Sequence, residues 1–79
     1  MSDVTPDLDL DLKGLLCPMP MVKVSQNIAN VPVGGVLKAT ATDAGSIPDI
    51  TAWAKSTGQE LLQAEKVDGE FVFLIKRVK

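Results

Sequence analysis

The chemistry this sequence can offer begins at the sulfur of Cys17, the chain's only cysteine. It stands in the run Leu15-Leu16-Cys17-Pro18-Met19-Pro20, just before apolar residues at helical spacing. Proline suits the first helical position, because its φ is already helical and its missing N–H would have no intrahelical partner there. With Pro18 in that place, Cys17 becomes the N-cap. A capping side chain accepts from the second or third helical amide, and Pro20 has none to give. The Met19 amide is therefore expected to point at the Cys17 sulfur. The positive end of the helix dipole acts at the same spot, and Lys13 is a second candidate for thiolate stabilisation. These effects predict a Cys17 pKa below the model-peptide value of about 8.5 and a sulfur held outward as a nucleophile. The competing reading makes Cys17 a small buried apolar residue, as many unpaired cysteines are. A Pro-x-Pro helix start favours the nucleophile.

What accompanies the thiol narrows the reaction. A cysteine hydrolase needs a base, usually histidine, and the chain has none. A dithiol oxidoreductase needs a second cysteine. A peroxidase without a resolving cysteine stays open, although nothing marks a peroxide pocket. One chemistry needs only a single exposed thiolate: attack on another protein's persulfide, then surrender of the outer sulfur to an acceptor. Without histidine or a second cysteine no Cys/His metal site can form, so neither metal nor cofactor is expected.

The elements that must position this thiol follow from periodicity. Leu8, Leu10 and Leu12 alternate with Asp9 and Asp11, the pattern of a half-buried strand. Met21, Val24 and Ile28 recur at helical spacing after Cys17, and Asn30 to Pro32 end that helix. Leu37, Ala39 and Ala41 alternate with Lys38, Thr40 and Thr42 as a second strand. Ser46-Ile47-Pro48-Asp49 reads as the next helix start, with Ser46 as N-cap and Asp49 three residues on. Ile47, Ile50, Trp53 and Ala54 form its apolar stripe, and Gly58 its left-handed C-terminal cap. Glu60 to Val67 and Glu70 to Arg77 are two strands joined at Asp68-Gly69, a strong hairpin signal. The order β-α-β-α-β-β predicts an α/β two-layer sandwich, a mixed four-stranded sheet with both helices on one face. Phe71-Val72-Phe73-Leu74-Ile75 is apolar throughout, and reads as a central strand covered on both faces or as an exposed docking patch.

Bulk properties set the class. Seventy-nine residues, 46% of them apolar and 23% charged, make a single domain. Residues 1–7 read as a flexible N-terminal segment and 8–79 as that domain. A net charge of −2 with only eight Lys and Arg argues against direct, tight nucleic-acid binding. No apolar run reaches the roughly 20 residues needed to span a membrane, and the N-terminus lacks the basic and apolar regions of a signal peptide. The expected location is the cytoplasm, where a lone thiol stays reduced. Trp53 is expected in the core and Asp43 in a turn. Lys76, Arg77 and Lys79 read as a solubilising end. Met19, beside the sulfur, and Lys23, nearly two turns on, are candidate partner contacts.

Asp11-Leu12-Lys13-Gly14-Leu15-Leu16-Cys17-Pro18-Met19-Pro20 resembles the D-x-x-G-L-x-C-P-x-P signature of the TusA/SirA family of sulfur carriers. The resemblance continues through Gly35, Thr42-Asp43, Asp49-Ile50, Trp53 and Gly58, over residues 8 to 77. It implies that Cys17 carries sulfur as a persulfide, and that Asp11, Gly14, Pro18 and Pro20 shape its loop. It also implies a protein sulfur donor, such as a cysteine desulfurase or a rhodanese, and a protein acceptor. Such a carrier acts stoichiometrically between the two, in sulfur oxidation, transfer-RNA thiolation or molybdenum-cofactor assembly. Met19 stands where the carrier for transfer-RNA thiolation has an acidic residue. The alternative is a non-catalytic interaction module that docks through its apolar last strand, with Cys17 structural.

Overall fold

The structure is a computed structural model and describes residues 6–79. Strand β1 (Leu8–Leu12) leads through the Cys17 loop into helix α1 (Met19–Asn27), which tightens into a 3-10 turn at Ile28–Asn30. Strand β2 (Val36–Ala41), helix α2 (Ser46–Thr57) and the hairpin of β3 (Glu60–Val67) and β4 (Glu70–Lys76) complete the chain. The sheet order is β1-β2-β4-β3, with β1 parallel to β2 and the other pairs antiparallel. This is the two-layer α/β sandwich expected from the sequence, with a mixed four-stranded sheet and the two helices packed side by side on one face.

Period-2 patterning selects the buried face. The β1–β2 register sets Leu8, Leu10 and Leu12 beside Leu37, Ala39 and Ala41, and the β2–β4 register continues the same face with Phe71, Phe73 and Ile75. Val24 of α1 and Ile50, Trp53 and Ala54 of α2 close over these residues, and Leu37, Phe73 and Ile75 lose all contact with solvent. Trp53 is thus core, as expected. Ile47 departs from the predicted stripe and stays exposed in the first turn of α2.

The last strand resolves the choice posed by its unbroken apolar run. Strand β4 is central in the sheet, but only one of its faces is covered by helices. Phe73 and Ile75 are fully buried there, while Val72 and Leu74 are half-buried on the other face. The hairpin turns at Asp68 and Gly69, with φ of 51° and 81°, the left-handed pair that matches the twist of the strands. Helix α2 ends at Gly58, also left-handed, as predicted.

Two expectations at the ends of the chain change. Asp7, assigned from sequence to a flexible segment, is tied to Val36 twice: its amide donates to the Val36 carbonyl at 2.8 Å and its carboxylate accepts from the Val36 amide at 2.9 Å. Residues 1–5 of that segment lie outside the described residues. Arg77, read as part of a solubilising end, is a clamp. Its guanidinium donates to the Val31 carbonyl at 2.7 Å and to that of Ala29 at 3.4 Å, satisfying carbonyls where the 3-10 turn ends. Arg77→Met keeps most of the apolar stem and removes these bonds. It should cost about 1.5–3 kcal/mol, the usual worth of charged hydrogen bonds, seen as a lower urea midpoint with an unchanged slope. An unaltered midpoint would show that water replaces the guanidinium without loss.

Candidate functional site

Parallel pairing of β1 and β2 brings the loops that follow them to the same edge of the sheet, the edge where ligands and chemistry gather in α/β folds. The two loops are stitched together. Gly14, with φ of 85°, takes a left-handed conformation that L side chains rarely adopt. Its amide donates to the Thr42 hydroxyl at 2.9 Å. Asp11 accepts from the Lys13 amide at 3.1 Å, closing the turn before it. The Cys17 amide donates to Asp43 Oδ2 at 2.6 Å, while Asp43 Oδ1 accepts from the Gly45 amide at 3.2 Å. Asp43 therefore holds its own turn, as expected, and also grips the Cys17 loop. A Cβ added to Gly45 would lie 3.2 Å from the Cys17 Cβ. A side chain there would press on Cys17 and require the loop to give by a few tenths of an ångström.

The helix start differs from the expected one. Pro18, not Cys17, is the N-cap of α1, and its peptide bond with Cys17 is cis. The Met19 amide donates to the Leu16 carbonyl at 2.8 Å. The donor expected to face the sulfur is thus occupied inside the loop. Pro20, at the second helical position, is fully buried against the core, whereas Pro18 and Met19 are exposed.

Cys17 itself is exposed and unpaired. Its thiol donates a hydrogen bond to Asp49 Oδ2, from the first turn of α2. That bond, some loss of hydration, and the negative charges of Asp49 and Asp43 push the Cys17 thiol above its ordinary pKa. The predicted thiolate is therefore a thiol at rest. The reason is a carboxylate on the sulfur in place of an amide. Asp43 moves the other way: the Cys17 and Gly45 amides hold its carboxyl below the usual carboxylate range.

Lys13 does not take the role proposed for it. Its ammonium lies 4.0 Å from both Asp11 and Glu70, and the side chain lines an open depression with Asp9, Asp11, Thr40 and Glu70 on the helix-free face. Lys23 is half-buried on α1. Met19 is 40% exposed beside the sulfur, and two further apolar side chains flank the same loops: Leu16 at 73% and Ile47 at 38%. Sequence reasoning passed over Leu16, and it assigned Asp49 to a capping pair with Ser46. In the structure Gly45 precedes the helix, and the buried Ser46 hydroxyl donates to the Asp43 carbonyl at 2.6 Å. The signal that could have found Asp49 was topological. Two parallel strands place the start of α2 beside the start of α1.

The chain matches the family model described as Sulfurtransferase TusA over residues 8–77. The sulfur carrier protein TusA of Allochromatium vinosum is 42% identical over 71 residues, which cover 90% of this chain and 93% of that protein. The protein of the same name from Pseudomonas putida is 40% identical over 77 residues, covering 98% and 96%. A protein of Aquifex aeolicus is 44% identical over 98% of this chain, which spans 39% of that longer protein. The crystal structure of a SirA-like protein from Desulfitobacterium hafniense superposes with a TM-score of 0.78, covering 91% of this chain and 99% of that one. At 22% identity it shows the shared fold. With a family model spanning nearly the whole sequence, and the Allochromatium and Pseudomonas relatives matched along nearly their full length, this chain belongs to the TusA family.

Proposed function

We propose that the protein is a sulfur carrier that accepts a sulfane sulfur on Cys17 and passes it to an acceptor protein. The observation that carries the reading is the single exposed thiol, fixed by backbone bonds where two parallel strands end, in a chain whose relatives are named sulfur carrier proteins. In loading, Cys17 Sγ attacks the outer sulfur of a donor cysteine persulfide. A new S–S bond forms at Cys17, the donor's S–S bond breaks, and the donor leaves as a thiol carrying the proton that Cys17 loses. The cycle closes when the acceptor thiol attacks the outer sulfur in turn. Neither step needs an oxidant, a reductant or a cofactor.

A cysteine desulfurase or a rhodanese fits the donor's chemistry, and sulfur oxidation, transfer-RNA thiolation or molybdenum-cofactor assembly the acceptor's. Partner contact falls to Met19, with Leu16 and Ile47 around the same loops, and to Lys23. A free, exposed thiol suits a reducing compartment, so the cytoplasm is the proposed location. No helix among the described residues is long and apolar enough to cross a membrane.

Intact-mass spectrometry tests the reading. After incubation with a persulfide-loaded cysteine desulfurase, the wild type should gain the mass of one sulfur atom. A thiol reductant should remove it, and Cys17→Ser should never gain it. Identical masses for wild type and variant would overturn the carrier reading.

A further inference from the structure

Sulfur transfer to a thiol requires that a proton leave as the new S–S bond forms, and the chain contains no histidine to take it. We propose that Asp49 is the base of the loading step, accepting the Cys17 proton as Sγ bonds the donor's outer sulfur and returning it to the departing donor thiolate. This rests on the sulfur-carrier reading of the same site and assigns a catalytic role to a second residue. The geometry supplies the argument. The Cys17 thiol already points its proton at Asp49 Oδ2, so no rearrangement precedes the transfer. Asp43, the other carboxylate at the site, has its two oxygens engaged by the Cys17 and Gly45 amides. Asp43 is an anchor, and Asp49 is the group in contact with the reacting sulfur.

The arrangement also explains how a carrier with an exposed thiol avoids indiscriminate reaction. At rest the thiol keeps its proton, held in the bond to Asp49 Oδ2. The proton moves to Asp49 only as Sγ donates electrons to an incoming sulfur and the thiol becomes more acidic. The negative charge of Asp49 suppresses the free thiolate that soluble electrophiles would trap, while its basicity serves a partner that has docked. Once loaded, the outer sulfur lies one bond further out. Repulsion from Asp49 and Asp43 then turns a persulfide anion outward, toward the acceptor. The cations of the neighbouring elements do not offset this. Lys13 sits between Asp11 and Glu70, and Lys23 is the fifth residue of α1, past its first turn.

The proposal predicts effects of opposite sign in one variant. Asp49→Asn keeps the side-chain shape and removes the charge and the base. Its alkylation by iodoacetamide near pH 7 should be on the order of tenfold faster than wild type, with a pH midpoint moved downward, because a like charge no longer opposes the thiolate. Its loading from a persulfide-bearing cysteine desulfurase should be slower, by about 10²-fold for loss of a general base. Asp49→Glu, which retains a carboxylate, should recover part of the loading and keep alkylation slow. A mere disturbance of the loop would move both rates in the same direction in both variants. Unchanged loading in Asp49→Asn, or alkylation no faster than wild type, would overturn the role of Asp49 and leave the carrier reading standing. A wild type that takes up no sulfur would sink the carrier reading itself, whatever the alkylation profiles show.

Discussion

Asp43→Ala is expected to slow sulfur loading by about 10²-fold, the usual penalty for letting a reacting atom drift by about 1 Å. The substitution leaves the Cys17 amide without its 2.6 Å acceptor and releases the Gly45 amide as well. Nothing in the core depends on this side chain, so the sheet and both helices should survive. Asp43→Asn retains one acceptor oxygen and should fall between the two. The same anchor gives a pH signature. The carboxyl of Asp43 titrates below its ordinary value of about 3.9, because both backbone amides favour the charged form. A carboxylate with a lowered folded-state pKa stabilises the fold above its unfolded value, and that contribution disappears as pH falls through the folded value. The wild type should therefore lose an increment of thermal stability below about pH 4 that Asp43→Ala lacks. Thermal midpoints between pH 2 and 7, with loading rates at neutral pH, check both halves. Wild-type loading in Asp43→Ala would show that the loop is held by other contacts.

Phe73→Ala should cost about 3–5 kcal/mol, the range for removing a buried phenylalanine and leaving its cavity. Phe73 is fully buried, pairs with Ala39 in β2 and Ala64 in β3, and faces the helices from the centre of the sheet. Its two sheet partners are alanines, too small to collapse into the vacated space. A chain of this length has roughly 4–12 kcal/mol of total stability to lose. The variant should then be substantially unfolded or have its urea midpoint cut by a large fraction, with the denaturant slope unchanged if the transition stays two-state. Strand β2 runs on into Thr42 and Asp43, so loading should fail on warming well before the wild type's does. A loss below about 1 kcal/mol would mean that the neighbouring side chains repack fully, contrary to the usual partial relaxation.

Much of this molecule could be read from local pattern. Alternation at Leu8–Leu12 and at Leu37–Ala41 specified two half-buried strands. Asp68-Gly69 specified a hairpin, because few other residue pairs accept two left-handed conformations in succession. Gly58 marked the end of α2 for the same steric reason, and Trp53 lay on the stripe that became core. The exposure of Cys17 followed from a proline-bounded loop. Each of these features depends on residues within about a turn or a strand of one another.

The properties of the sulfur depended on residues much further away. Asp43 lies 26 positions from Cys17 and Asp49 lies 32. They reach it because β1 and β2 pair in parallel and bring the following loops to one edge. Read locally, Asp49 belonged to the cap of its own helix and the Met19 amide to Cys17. Folded, the Met19 amide turns to the Leu16 carbonyl and a carboxylate meets the thiol, which reverses the direction of the pKa shift. The strand order has the same origin. Nothing in the local pattern of β4 says that it inserts between β2 and β3, and that position buries Phe73 and Ile75. The sequence by itself determined which segments are helix and strand and which residue bears the exposed thiol, since steric preference and hydrophobic period act over a few residues. The tertiary structure decided the charge around that thiol, since electrostatics responds to whatever lies within a few ångströms, however distant along the chain.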